Sequence, residues 1–192
     1  MACTGIAANI AFNCNGTENN TGVQDTCVLF RWSEIDRGSS LFDVTNPIKL
    51  ETIGAVSSPL VGYSYVSGLN AIRPGWEKVA DGFNPNKFSH RLTLPIYGDT
   101  ATKNYELTKL VGDKVVAVDF SNAETIHVYG WSSGLIVSQL TRDGVENEGS
   151  FQLILQSAEG ISEPYPPFFY TGAASPEADF ETLKAEILAF VV

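Results

Sequence analysis

The sequence has few of the residues from which metal sites and disulfide frameworks are built. Of its 192 residues, three are cysteine and two are histidine. Cys3, Cys14 and Cys27 all lie in the first 27 residues, whereas His90 and His127 lie far along the chain. A zinc site needs four ligands at tight spacings such as Cys-x-x-Cys. The spacing therefore disfavours a metal centre; we expect small buried thiols, and the sequence leaves a disulfide open.

Basic residues and long apolar runs are also scarce. Lys and Arg number 12 against 22 Asp and Glu, for a formal net charge of −10, which excludes a basic, groove-seeking DNA reader. No apolar run approaches the roughly 18 residues that a membrane span needs, so we expect no contact with a membrane. The start of the sequence lacks the charged and apolar regions of a secretory signal, which predicts synthesis in the cytosol. The 44% hydrophobic content favours one packed domain over residues 1–192.

The acidic residues are unevenly distributed. Residues 1–96 carry a net charge of −1 and residues 97–192 a net charge of −9. This asymmetry has two interpretations: a solvated surface that maintains solubility, or a surface that repels a polyanion or meets a basic partner. Charged residues make up only 18% of the chain, which indicates that part of the surface lies against protein rather than water.

The search for catalytic motifs assigns no catalytic, cofactor-binding or metal-ligating residue. Residues 130–134 (GWSSG) place serines between glycines, but a nucleophile elbow requires a strand-to-helix turn, and here a strand is expected to follow. His127 is interpreted as a hydrogen-bonding neighbour on a strand, and His90 has no evident carboxylate partner. Glu146 and Glu148 are expected to belong to a charged turn. The sequence therefore predicts a protein that is not an enzyme and needs no cofactor.

Hydrophobic periodicity predicts a mainly β (α+β) fold: an antiparallel β-sandwich or rolled sheet with a central and a C-terminal helix. Short connections favour a meander. The predicted strands cover residues 27–32, 48–53, 60–66, 87–97, 114–120, 125–131, 135–141 and 150–156. The central helix begins at Asp99 or Thr100 and ends at Gly112. The second helix is capped by Ser175 or Pro176, and its apolar stripe consists of Phe180, Leu183, Ile187, Leu188 and Val191.

Three segments are expected to lie outside the regular elements. Residues 1–26 form an N-terminal arm with a polar tip, and residues 142–149 form an exposed turn. Residues 157–176 are rich in proline and predict an extended segment rather than a central strand. Residues 68–86 predict an extended inter-subunit loop, with Trp76 and Phe83 resting on another chain. These and other aromatic residues could instead stack on sugars, but packing in the core or between subunits is the favoured interpretation.

Several segments in the second half carry a family resemblance. They are residues 126–135 (IHVYGWSSGL), 141–143 (TRD), 149–155 (GSFQLIL) and 159–164 (EGISEP). Together with the pattern Cys3…Ile6…Ile10…Cys14, they resemble tail-tube-like virion proteins of tailed bacteriophages, in particular those of phages that infect Bacteroidetes. The likeness covers both ends of the chain and is weak over residues 33–112.

The resemblance implies a structural role. Six protomers would form a ring whose sheets join into an inner barrel, and rings would stack into a tube in the virion tail, assembled in the cytoplasm of a bacterial host. Double-stranded DNA would pass through an acidic lumen without being bound, because like charge lets phosphates slide. The partners would be other copies of the chain, the tape measure protein, the tail terminator and, in a contractile tail, the sheath. The alternatives are a tail terminator or head–tail adaptor, and a monomeric β-sandwich module that binds glycans.

Overall fold

The computed structural model describes residues 23–57, 59–67, 72–81, 84–97, 100–142, 151–173 and 178–192. The strands in chain order are β1 (Val23–Arg31), β2 (Leu41–Phe42), β3 (Lys49–Thr52), β4 (Gly62–Val66), β5 (Arg73–Asp81), β6 (Asn84–Ile96), β7 (Val115–Ser121), β8 (Ile126–Tyr129), β9 (Leu135–Arg142), β10 (Phe151–Ser157) and β11 (Phe168–Tyr170). The helices are α1 (Ala101–Val111) and α2 (Phe180–Leu188), and Trp32–Glu34 form a 3₁₀ turn. The prediction of a mainly β fold is confirmed.

The strands form one sheet in the order β2-β3-β11-β8-β7-β9-β10-β6-β5, and β1 pairs with β7 and β4. All of these pairings are antiparallel except that of β11 with β3. The predicted meander is wrong, because the consecutive strands β8 and β9 both pair with the same side of β7. Strand β8 pairs with residues 117–120 of β7, and β9 meets β7 only at the Val115–Leu135 pair. The sheet divides at this point: one part continues through β8 and β11, the other through β9 and β10.

Strand β7 is buried on both faces. Val115 and Ala117 contribute to one core, beside Leu110 of α1. Val116 and Val118 contribute to the other core, which α2 covers with its buried face. A strand with apolar residues at successive positions is typical of one enclosed on both sides. Because full burial of each valine side chain stabilises the fold by roughly 1.5–3 kcal/mol, the two cores anchor this strand in the centre of the domain.

The helix ends follow local capping chemistry. Helix α1 begins after Thr100, whose Oγ1 accepts a hydrogen bond from the backbone N of Lys103 (3.2 Å), and it ends at Gly112, as predicted. The predicted cap of α2 at Ser175 or Pro176 is wrong. Asp179 caps this helix, and its Oδ1 accepts from the backbone N of Thr182 (3.0 Å). Aspartate is among the strongest N-cap residues, so the helix begins at the position where such a side chain directly precedes the apolar stripe.

The prediction that residues 68–86 form an extended loop is wrong for most of that segment. Arg73–Asp81 form strand β5, which pairs with β6 in a hairpin. Pro74 and Gly75 obscured the strand pattern, but an edge strand tolerates a residue that donates no ladder hydrogen bond. Phe83 lies outside the described residues. Of the predicted N-terminal arm, residues 23–26 belong to β1 and residues 1–22 lie outside the described part of the chain.

The prediction for the proline-rich segment also needs correction. Phe168–Tyr170 form β11, which pairs with β8 on one side and β3 on the other. The strand starts directly after Pro167, where backbone N–H groups again become available for pairing on both sides. Most of the predicted turn over residues 142–149 lies outside the described residues.

Candidate functional site

The buried carboxylate of Glu163 is held by three hydrogen bonds. It accepts hydrogen bonds from the backbone N of Ser132 (2.8 Å), the backbone N of Ser133 (2.8 Å) and the Ser133 hydroxyl (2.6 Å). Its own backbone exchanges two hydrogen bonds with Phe88 of β6. Glu163 therefore ties the turn between β8 and β9 to the β5–β6 hairpin.

His90 lies fully buried beside this turn. The backbone N of Gly130 donates to His90 Nδ1 (3.0 Å), so Nδ1 carries no proton and Nε2 donates to the carbonyl of Tyr165 (3.1 Å). Burial lowers the pKa of His90 below its usual value, and the charge of Glu163 opposes this shift only in part. The imidazole is therefore a neutral bridge between two backbone groups.

Arg37 also binds this turn. Its Nε donates to the carbonyl of Trp131 (2.8 Å) and its Nη2 to the carbonyl of Trp32 (3.1 Å). The guanidinium lies 3.9 Å from the centre of the Trp32 ring, a favourable cation–π distance. Burial lowers the pKa of Arg37, and the nearby Glu163 opposes this.

Ser133 and His90 do not form the pair of a nucleophile and its general base. The Ser133 hydroxyl donates to a carboxylate, and both ring nitrogens of His90 are engaged by backbone groups, so His90 is not placed to take a proton from the serine. The turn is followed by strand β9, as expected, and not by the helix of a nucleophile elbow.

A second polar pair lies on the sheet itself. Asp119 of β7 is fully buried, and its Oδ1 lies 3.0 Å from Nδ1 of His127 on the neighbouring strand β8. His127 Nε2 is 3.5 Å from Thr125 Oγ1, and the His127 side chain remains 23% exposed. Burial, followed by the charge of Asp119, raises the pKa of Tyr129 well above its ordinary value. The prediction that His127 is a hydrogen-bonding neighbour on a strand face agrees with this geometry.

His127 opens into a cleft of about 460 Å³ whose walls are mainly aromatic and proline rings. The cleft lies between β5 and the segment that leads into β11. Its principal lining residues are Trp76, His127, Tyr129, Pro166, Pro167 and Phe169. Trp76 is 54% exposed and Phe169 is 36% exposed. The cleft therefore combines exposed flat rings with one imidazole that a buried carboxylate holds in place.

A larger cavity of about 920 Å³ lies on the other face of the β5–β6 hairpin. Its lining combines apolar residues such as Ile136 and Ile161 with serines and with Glu77 and Lys87. Among the described residues that line it, none is a histidine or cysteine, and it carries no arrangement typical of catalysis.

The other residues considered in the sequence have simple outcomes. Cys27 is a buried thiol, as expected, and burial followed by the charge of Asp119 raises its pKa. Cys3, Cys14, Glu146 and Glu148 lie outside the described residues. Within the described ranges, no cluster of three or more His, Cys, Asp or Glu side chains could hold a metal ion.

Sequence reasoning missed both buried carboxylates. For Asp119 a signal existed, because it shares the strand face of Val115 and Ala117 and so points into the first core. For Glu163 there was none, since its partners lie about thirty residues away and no periodicity connects them.

Comparison with known proteins identifies no relative: no family model, no curated protein and no solved structure matches the chain. Neither of the two described helices has the length and apolar character needed to cross a membrane.

Proposed function

We propose that this chain is a structural subunit of a bacteriophage tail tube. Its copies assemble into hexameric rings, and the rings stack into a tube through which double-stranded DNA passes without specific binding. The proposal starts from the sequence resemblance, and the mainly β protomer with a helix against its sheet is compatible with it. The other partners in the virion tail are the tape measure protein, the tail terminator and, in a contractile tail, the sheath.

The observation that carries the proposal is the extent of the β5–β6 hairpin. Strand β10 pairs with β6 only from Arg91 to Ile96, whereas β5 continues to pair with β6 as far as Asn84. Among the described residues, the hairpin is two-stranded over residues 84–90, apart from a single bridge between Phe88 and Glu163. An isolated two-stranded ribbon is only marginally stable in water, and an edge strand invites pairing. Packing against a second copy would stabilise it.

The charges of the protomer favour association between unlike surfaces. Among the described side chains of the hairpin, Glu77 is the only acidic residue, whereas four are basic. The basic residues are Arg73, Lys78, Lys87 and Arg91. Helix α2 and its cap are acidic, with Asp179, Glu181 and Glu186 against Lys184. A contact between two different surfaces of the same chain is heterologous, and such contacts close into rings when the rotation between copies permits it.

The proposal is tested by the mass and shape of the purified full-length chain. Light scattering at increasing protein concentration should give a species near six times 20.8 kDa, and negative-stain microscopy should show rings or tubes. A strictly monomeric protein at high concentration would refute the tube. Single rings that never stack would instead favour the tail terminator.

Charge reversal tests the contribution of the hairpin. Lys78→Glu should weaken ring formation, because it places a negative charge on the basic hairpin. Lys114→Glu is the matched control, since Lys114 is an exposed cation outside the hairpin. Salt should also weaken assembly of the unmodified chain, as exposed charges are screened beyond roughly 8 Å at 0.15 M ionic strength. Equal assembly of both variants would remove the hairpin charges from the explanation.

A further inference from the structure

We infer that the cleft formed by Trp76, Tyr129, Phe169, Pro166, Pro167 and His127 binds the ring of a neutral carbohydrate. The cleft is formed within one protomer, and its Trp76 belongs to the β5–β6 hairpin that the proposed tube places against a second copy, so the inference concerns the unassembled protomer. Its volume of about 460 Å³ falls in the range of small-molecule sites, roughly 300–1,000 Å³.

The walls suit a flat ligand with an apolar face. Trp76 and Phe169 are large aromatic residues that remain 54% and 36% exposed in the protomer. Both rings make aromatic contacts within the protomer: Trp76 packs edge-on against Phe88 at 5.5 Å, and Phe169 packs edge-on against His127 at 4.9 Å. Rings that are fixed before binding lose little conformational freedom when a ligand stacks on them. The C–H face of a pyranose is such a ligand surface.

His127 gives the cleft a polar group that can form a hydrogen bond with a ligand hydroxyl. Asp119 Oδ1 lies 3.0 Å from His127 Nδ1, so in the neutral imidazole the proton is on Nδ1 and Nε2 is an acceptor. Thr125 Oγ1 lies 3.5 Å from Nε2, at the outer limit of a hydrogen bond, and does not line the cleft. A sugar hydroxyl can donate a shorter hydrogen bond to Nε2.

The charge of the cleft argues for a neutral ligand. Among the described residues that line it, none is Lys, Arg, Asp or Glu. No lysine or arginine among these residues would pair with an anionic ligand, and the Asp119 carboxylate is fully buried and bonded to His127, so it does not face a ligand cation. Aromatic stacking with one or two hydrogen bonds is typical of weak, millimolar recognition.

The test uses the full-length chain and a panel of neutral sugars: glucose, galactose, mannose, N-acetylglucosamine and their β-1,4-linked disaccharides. Saturation-transfer NMR should detect contact between protein and the ring protons of at least one sugar, and a titration should give a millimolar dissociation constant. Trp76→Ala should weaken that binding at least tenfold. Tyr105→Ala, which removes a comparably exposed aromatic residue on α1, should leave it unchanged.

Phe169→Ala keeps the inference testable if Trp76→Ala does not fold, and it should weaken binding in the same way. Absence of transfer to every sugar at about 20 mM would overturn the inference, since a millimolar site would then be largely occupied. Binding that survives both cleft substitutions would overturn it as well. Binding of a proline-rich peptide in the absence of any sugar binding would identify a different ligand class and would also overturn it.

Discussion

His90→Phe should destabilise the fold without creating a cavity, because phenylalanine preserves a planar ring at a fully buried position. The substitution removes both hydrogen bonds of the imidazole. The backbone N–H of Gly130 loses its acceptor at 3.0 Å, and the carbonyl of Tyr165 loses its donor at 3.1 Å. The variant therefore leaves two buried backbone groups without these partners.

The expected cost follows from these two groups. A buried donor or acceptor left unsatisfied costs about 1–3 kcal/mol, so the variant should lose about 4 kcal/mol of unfolding free energy near pH 7.5. For a domain of this size, each kcal/mol lowers the melting temperature by roughly 2–4 °C, which predicts a decrease of about 8–16 °C. Chemical denaturation with urea measures the same loss as a shift of the midpoint.

The pH dependence provides a second, independent measurement. Because burial lowers the pKa of His90 in the folded state, the unfolded chain binds a proton at this residue first as the pH falls through about 6.5. The wild-type protein therefore loses stability at this site on acidification, by at most about 1.4 kcal/mol at pH 5.5, and the phenylalanine variant loses none. The difference in stability between the two proteins should shrink from pH 7.5 to pH 5.5. A penalty below about 1 kcal/mol, or a difference that grows with acidification, would refute the assigned hydrogen bonds.

Two further substitutions test the same turn. Glu163→Gln should cost about 2–4 kcal/mol in urea denaturation, because an amide nitrogen replaces one of the carboxylate oxygens that accept three hydrogen bonds; an unchanged midpoint would contradict this role. Gly130→Ala should cost more than Gly160→Ala by differential scanning calorimetry. Both glycines have positive φ, +71° at Gly130 and +74° at Gly160, so the backbone strain of an alanine is similar at the two positions. Only at Gly130 would the new Cβ meet another side chain, because it would lie 2.6 Å from the Cγ of Leu135. Equal melting temperatures of the two variants would contradict this packing.

The elements that were predicted well from sequence are those whose pattern is local. The apolar residues of β7 predict a strand over residues 114–120, and Thr100 and Gly112 mark the ends of α1 by their own capping chemistry. For α2 the sequence predicted a cap at Ser175 or Pro176, whereas the cap is Asp179, the residue directly before the first residue of the helix.

The elements that sequence reasoning missed depend on distant partners. Strand β5 contains Pro74 and Gly75, and it forms because β6 supplies a complementary strand rather than because its own residues favour extension. Strand β11 follows immediately after prolines and is fixed by β8 on one side and β3 on the other. The cleft was missed for the same reason: Trp76, His127 and Phe169 come from three strands whose proximity only the sheet order determines.

The folded structure changes the meaning of the charge asymmetry. Of the fourteen acidic residues in the second half, Glu106, Asp119 and Glu163 are buried and pair with groups inside the protomer, Glu106 with Lys109 at 2.9 Å. These three carboxylates cannot repel DNA in a lumen, because they are enclosed in the protomer and bonded to its own groups.

The acids that remain on the surface would then divide between two roles in the proposed tube. If the acidic surface of α2 meets the basic hairpin of a neighbouring copy, its charges are neutralised at that contact and contribute little to the lumen. Exposed acidic residues elsewhere in the second half of the chain would then repel the DNA. In the described part of that half, these are Glu124 and Glu159. Reversal of Glu181 alone leaves the Asp179 cap and the hydrogen bond between Tyr170 and Glu186 in place. It should weaken ring formation in negative-stain images, whereas neutralising Glu124 and Glu159 should leave the rings intact and affect only the passage of DNA. Unchanged rings after the reversal of Glu181 would contradict the contact between α2 and the hairpin.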